Sequence, residues 1–149
     1  MIDVDSVARD VRDALESAAD SAAVLHAVVD TLKARGPHYS WVGIYLLEGA
    51  ELVLGPYRGK PSPHTRIPIG RGICGAAASE KTTIVVDDVN ADARYLACSL
   101  DTQSEIVVPI MRGTDVLGEI DIDSDTRAAF DLSDRKLLEL VAAMLAERL

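Results

Sequence analysis

The chain has 149 residues, of which 48% are hydrophobic but only 4% aromatic, a composition expected for one aliphatic core rather than two domains or a disordered chain. Its net charge of −9 would repel phosphate backbones, so nucleic acid is not expected as a partner. No stretch has the length of a membrane span or the make-up of a leader, and two cysteines without CxxC spacing fit neither a disulfide framework nor a zinc site, so the cytoplasm is the expected compartment.

From Val4 apolar residues recur every seven (Val4, Val11, Ala18, Leu25, Leu32) with Val7, Leu15, Ala22 and Val29 beside them. This is helical amphipathicity and predicts helix over residues 3–35. Asp20 followed by Ser21 is a capping signal that divides the stretch into two helices, and Gly36-Pro37 ends the second. The stripe suits the face of a sheet, and the first helix could in addition meet a second copy of the chain.

Residues 40–47 and 52–55 read as strands joined by Glu48-Gly49-Ala50, a short antiparallel connection. Pro61-Ser62-Pro63-His64 is predicted as loop, because neither proline can donate to a ladder. A short strand follows at 66–69, then a small-residue helix at 73–79 opened by Gly70-Arg71-Gly72, then a β-branched strand at 82–86. After a polar segment, 87–104, two more strands at 105–111 and 116–123 form a second hairpin. Asp131, with Asp134 three residues on, caps a last helix whose Leu137, Leu138, Val141, Met144 and Leu145 share one face. The predicted class is α+β, or mixed α/β: a mainly antiparallel sheet with the terminal helices on one face.

Several chemistries can be set aside. Gly70-Arg71-Gly72-Ile73-Cys74-Gly75 is not spaced as GxGxxG and no Walker lysine is present. His26, His38 and His64 fall in different elements without metal-ligand pairing, and read as surface or loop residues. What remains is Cys98, in a polar, turn-prone segment where a thiol is reachable, and the acids that follow it. Glu105 opens a strand. In Gly118-Glu119-Ile120-Asp121-Ile122-Asp123-Ser124 the alternation places Glu119, Asp121 and Asp123 on one face and the isoleucines on the other. Two readings stand for that face: a solvated surface, or a cluster that binds a cation or holds a carboxyl of raised pKa.

Taken together, WVGIY (41–45), LGPYRGK (54–60), RIPIGRGICG (66–75), Ala97-Cys98, SEIVVP (104–109) and DIDS (121–124) resemble the free methionine-(R)-sulfoxide reductases, a group built on the GAF domain. The resemblance implies one GAF-like domain over residues 1–149, with helices in 1–36, sheet and pocket in 40–125 and a last helix in 131–149. It implies a six-stranded sheet with the terminal helices on one side and the ligand pocket on the other, and a homodimer. By the same resemblance Cys98 is the attacking thiol and Trp41 a wall around the substrate methyl. Glu105, Asp121 and Asp123 are the acids that meet the amino group and the sulfoxide.

A further cysteine usual in the group, between its GK and RIP, is absent here, where the stretch reads Pro61-Ser62-Pro63-His64-Thr65. Cys74 could then take over as the thiol that resolves oxidised Cys98, or it could be a small packed core residue. The implied chemistry is attack by Cys98 on the sulfoxide sulfur, with Glu105 and Asp123 supplying the proton, then disulfide formation and reduction by a thioredoxin-like dithiol. No metal or organic cofactor is called for. The alternatives are a GAF sensor that binds a small molecule without catalysis and a Cys74/Cys98 redox switch. The set Cys98, Glu105, Asp121 and Asp123 weighs toward the enzyme.

Overall fold

The computed structural model describes residues 1–97 and 99–149. Among them the helices are α1 (Val4–Ser17), α2 (Ser21–Arg35), α3 (Gly72–Glu80) and α4 (Leu132–Ala146), with a 3₁₀ turn at Val89–Ala91. The strands are β1 (Trp41–Glu48), β2 (Glu51–Arg58), β3 (Arg66–Pro68), β4 (Ile84–Val86), β5 (Ser104–Arg112) and β6 (Asp115–Ser124). They form one sheet in the order β3-β2-β1-β6-β5-β4, and every pairing is antiparallel. No helix of the described residues is long and apolar enough to cross a membrane.

The helix ends follow the sequence signals. Asp3 caps α1 by accepting from the Ser6 amide, and Asp20 caps α2 by accepting from the Ala23 amide at 2.8 Å, which satisfies donors that the first turn leaves unpaired. At α4, Asp131 and Asp134 form a reciprocal capping box. The Asp134 carboxylate is itself buried, and it also accepts from the Tyr39 hydroxyl and meets the His38 ring, both at 2.7 Å.

Period-2 alternation in β5 and β6 sorts their side chains between two cores. Ile106, Val108, Ile110, Ile120 and Ile122 point to the face covered by α2 and α4, on which α1 packs in turn, and share one core with Val11, Leu32, Leu137 and Val141. Burying such a side chain contributes about 1.5–3 kcal/mol each. The opposite face carries a second cluster with Trp41, Tyr45, Val107 and the small residues of α3. The polar face of β6 therefore does not meet solvent: Glu105, Glu119, Asp121 and Asp123 are all buried. The solvated-surface reading of that face is overturned, because α3 and the segment leading to β5 cover it.

Two strands differ from their predicted extents. β2 runs on through Pro56 to Arg58, because Gly55 and Pro56 sit at a bulge where the β1–β2 register shifts between Gly43 and Tyr45. A residue without an N–H is tolerated there, since the extra residue of a bulge lies outside the ladder. β4 is shorter than predicted, and Thr82 and Thr83 lead into it without pairing.

Candidate functional site

β5 and β6 lie side by side with Glu105 directly opposite Asp123, and β1 on the other side of β6 sets Trp41 opposite Asp123 and Gly43 opposite Asp121. Like charges facing each other across a ladder are destabilising. Here the face carries Glu119, Asp121 and Asp123 in phase on β6 with Glu105 beside them. Among the described residues, none donates a hydrogen bond to either carboxyl oxygen of Glu119, to Asp121 Oδ1 or to Asp123 Oδ1. Buried polar atoms of native proteins are nearly always paired, so four such atoms on one face mark a place built to receive a donor.

Burial is the largest cause that raises the Glu105 carboxyl well above its ordinary range, followed by the charges of Asp121 and Asp123. Asp123 and Glu119 are raised well above theirs by burial first and by Asp121 second. Asp121 is also raised by burial, though hydrogen bonds with Glu105 and Cys74 oppose the shift. Burial thus favours the protonated form of these groups, and a neutral carboxyl is a proton donor.

Cys74, in the first turn of α3, lies under this layer. It is buried, and its Sγ is 4.0 Å from Glu105 Oε2. Burial and the surrounding acids push its thiol well above the usual range, so it is a poor nucleophile in this state. One thiol and two carboxylates, those of Glu105 and Asp121, have ligating atoms within 4.8 Å of one another.

Trp41 stands at the other end of the acids. The space for its indole depends on Gly43, where a side-chain carbon would fall 2.3 Å from the ring. Its Nε1 donates to the Lys60 carbonyl at 3.0 Å, and its ring stacks on Tyr57 at 5.7 Å. A cavity of about 70 Å³ lies against it, lined in part by Lys60, Ser99, Thr102 and Asp123. A smaller one of about 20 Å³ is lined in part by Tyr45, His64, Cys74, Leu96, Glu105 and Asp121.

Cys98 lies outside the described residues. Its chain neighbours do not: Ser99 lines the first cavity and Leu96 the second. That segment is tied down from the loop after β2. His64 Nε2 donates to the Ala97 carbonyl at 3.1 Å, and Lys60 pairs with Asp101. The His64 carbonyl in turn accepts from the Tyr45 hydroxyl at 2.8 Å.

Every described residue of the predicted set, Cys74, Glu105, Asp121, Asp123 and Trp41, is thus brought to one face of the sheet. Sequence reasoning placed Glu119 on the acid face with Asp121 and Asp123 without giving it a role at the site, and it missed one residue altogether. His64, read from sequence as a loop residue, lines the small cavity, and no local spacing announces it. Of the other two histidines, His26 is exposed and His38 is half-buried against Asp134.

A six-stranded antiparallel sheet with helices on one face and an acid-lined, roofed pocket on the other defines a ligand-binding α+β domain. The family model for the GAF domain matches residues 8–149. The chain is 40% identical over 106 residues to the free methionine-R-sulfoxide reductase of Escherichia coli, a match that spans 70% of this chain and 64% of that protein. Its fold superimposes with a TM-score of 0.92 on the free methionine-R-sulfoxide reductase of Neisseria meningitidis solved in complex with its substrate. That match is 37% identical and covers 97% of this chain and 87% of the other. The reduced fRMsr of Staphylococcus aureus also gives 0.92, at 34% identity, over 99% of this chain and 96% of that one. The chain belongs to the GAF domain family and, within it, to the free methionine-R-sulfoxide reductases.

Proposed function

We propose that this protein reduces free L-methionine-(R)-sulfoxide to methionine. The observation that carries the reading is the layer of buried carboxyls, raised in pKa by burial and with several oxygens left unpaired, set between Trp41 and the described residues that flank Cys98. The names of its relatives support the same activity. An amino-acid ammonium supplies the donors that Asp121 and Asp123 lack, and the face of Trp41 suits a methyl beside a polarised sulfur.

Chemically, Cys98 as thiolate attacks the sulfoxide sulfur while the S–O oxygen takes a proton from Glu105, with Asp123 sharing that proton. The oxygen passes to the Cys98 sulfur, so that methionine leaves reduced and the enzyme is left as a sulfenic acid. A second thiol then condenses with it, releasing water and forming a disulfide, which a thioredoxin-like dithiol reduces. Cys74 is the one other cysteine of the chain and our candidate for that second thiol. The cycle consumes two electrons from the dithiol and uses only thiols and protons. A reducing cytosol and a homodimer belong to the same proposal.

The test is methionine production from the (R)-epimer with a dithiol as reductant, the (S)-epimer serving as control. Cys98→Ser should keep the fold and lower turnover on the order of 10³-fold or more, since a hydroxyl cannot replace the thiolate. Near-normal single-turnover reduction by that variant would remove Cys98 from its role. Tight binding of the sulfoxide without reduction by the wild type would make the domain a sensor.

A further inference from the structure

The small cavity beneath the acid layer has an unusual charge balance. Glu105 and Asp121 line it together with the Cys74 thiol, and the other lining residues include His64 but no lysine or arginine among the described residues. The Cys74 sulfur and one oxygen from each carboxyl lie within 4.8 Å of one another, and all three residues are buried. A second observation points to an occupant: Asp121 Oδ1 is buried in this cluster without a partner of its own among the described residues, although the Asp121 carboxyl as a whole meets Glu105 and Cys74. A cation could take the place of the protons that these groups hold.

The donor set narrows the choice of ion. Magnesium and calcium want six or more oxygen ligands and are poorly served by sulfur. Zinc and cadmium accept thiolate together with carboxylate at low coordination number, with metal–sulfur and metal–oxygen distances near 2.3 and 2.0 Å. Sulfur and oxygen ligands on one such ion stand roughly 3.5 Å apart, from tetrahedral geometry at those bond lengths. The 4.0 Å between Cys74 Sγ and Glu105 Oε2 closes to that value with a small side-chain rotation.

We propose that Cys74, Glu105 and Asp121 form a binding site for one thiophilic divalent cation, zinc in the first instance, whose occupancy excludes the amino group of the substrate from the acid layer. Binding displaces the thiol proton and the carboxyl protons to solvent, so up to three protons leave as one ion enters. The fourth coordination position is open to water. The metal has no part in the reduction, and its effect is to block the pocket reversibly. The blocking rests on the activity proposed above, whereas the site itself does not.

The full chain carrying Cys98→Ser has Cys74 as its only thiol and is the protein to titrate. With cadmium as probe, one ion per chain should bind with the ultraviolet charge-transfer absorption of a cadmium–thiolate bond, and zinc should displace it. Asp121→Asn added to that chain should weaken binding on the order of 10- to 100-fold or more. Added L-methionine should compete. Absence of the absorption at millimolar cadmium in protein with unchanged circular dichroism would overturn the site, as would an affinity left untouched by both Asp121→Asn and Glu105→Gln. In the wild type zinc should raise the KM for methionine sulfoxide more than it lowers kcat. An inactive wild type whose Cys98→Ser form still binds cadmium would sink the reductase reading and leave the site standing.

Discussion

At the scale of single residues the assigned roles separate by kinetics. Glu105→Gln keeps hydrogen-bonding capacity but cannot give up an acid proton, so kcat should fall while KM stays within a few-fold. An unchanged kcat with a raised KM would make Glu105 a binding residue instead. Cys74→Ser should permit one turnover and stall dithiol-driven cycling if Cys74 resolves the sulfenic acid. Mass spectrometry of the oxidised wild type, looking for a Cys74–Cys98 linkage, decides between that role and simple packing, since a disulfide needs α-carbons within about 7 Å. For His64, whose Nε2 holds the Ala97 carbonyl, a glutamine amide can reach the same acceptor whereas alanine cannot. His64→Ala should lower kcat about 10- to 100-fold through misplacement of the segment, and His64→Gln should restore most of it. Equal loss in both variants would mean that the imidazole itself matters.

Among the elements, the start of α4 concentrates several bonds on one buried carboxylate. Asp134 accepts from the Asp131 amide, the Tyr39 hydroxyl and the His38 ring. Asp134→Ala removes half a capping box and leaves the Tyr39 hydroxyl buried without its acceptor, so a loss of about 2–4 kcal/mol is expected in denaturant titration. A loss below about 0.5 kcal/mol would mean that the cap and the Tyr39 bond contribute little. This cap was legible from sequence because Asp131 and Asp134 stand at the right spacing before an apolar stripe. The two terminal helices, the two hairpins and the phase of Asp121 and Asp123 were legible for the same reason: each is a local, periodic signal. What the sequence concealed was non-local. Whether the acid face of β6 is wet or dry depends on α3 and on residues such as Leu96 and Thr102 folding over it, and the continuation of β2 past Pro56 depends on a bulge against β1. His64 reaches the pocket only because the loop after β2 meets the segment before β5.

For the whole molecule the buried acids set the response to pH. Glu105, Glu119, Asp121 and Asp123 are all raised above the ordinary carboxylate range by burial, so the folded chain binds more protons than the unfolded one. Their contribution is fully present below about pH 4, where unfolded carboxyls titrate, and is lost as pH rises toward the folded values, at about 1.4 kcal/mol per pH unit for each group that keeps its proton. Asp92 and Asp131 are shifted down by their hydrogen bonds and act in the opposite sense below about pH 4. Denaturant titrations should therefore show stability rising from pH 8 to about pH 5, and Glu119→Gln should flatten that slope. A slope that rises toward alkaline pH would contradict the buried, protonated layer. The order of the strands carries a further consequence. β1 pairs with β6 between residues 41–46 and 118–123, so that ladder closes across about half of the chain, the kind of distant contact that slows folding relative to a helical bundle. The only tryptophan of the chain, Trp41, stands on that ladder opposite Asp123. Its ring also stacks on Tyr57 within the first hairpin, so its fluorescence should change in two steps of refolding, once when that hairpin forms and again when the first strand meets the last.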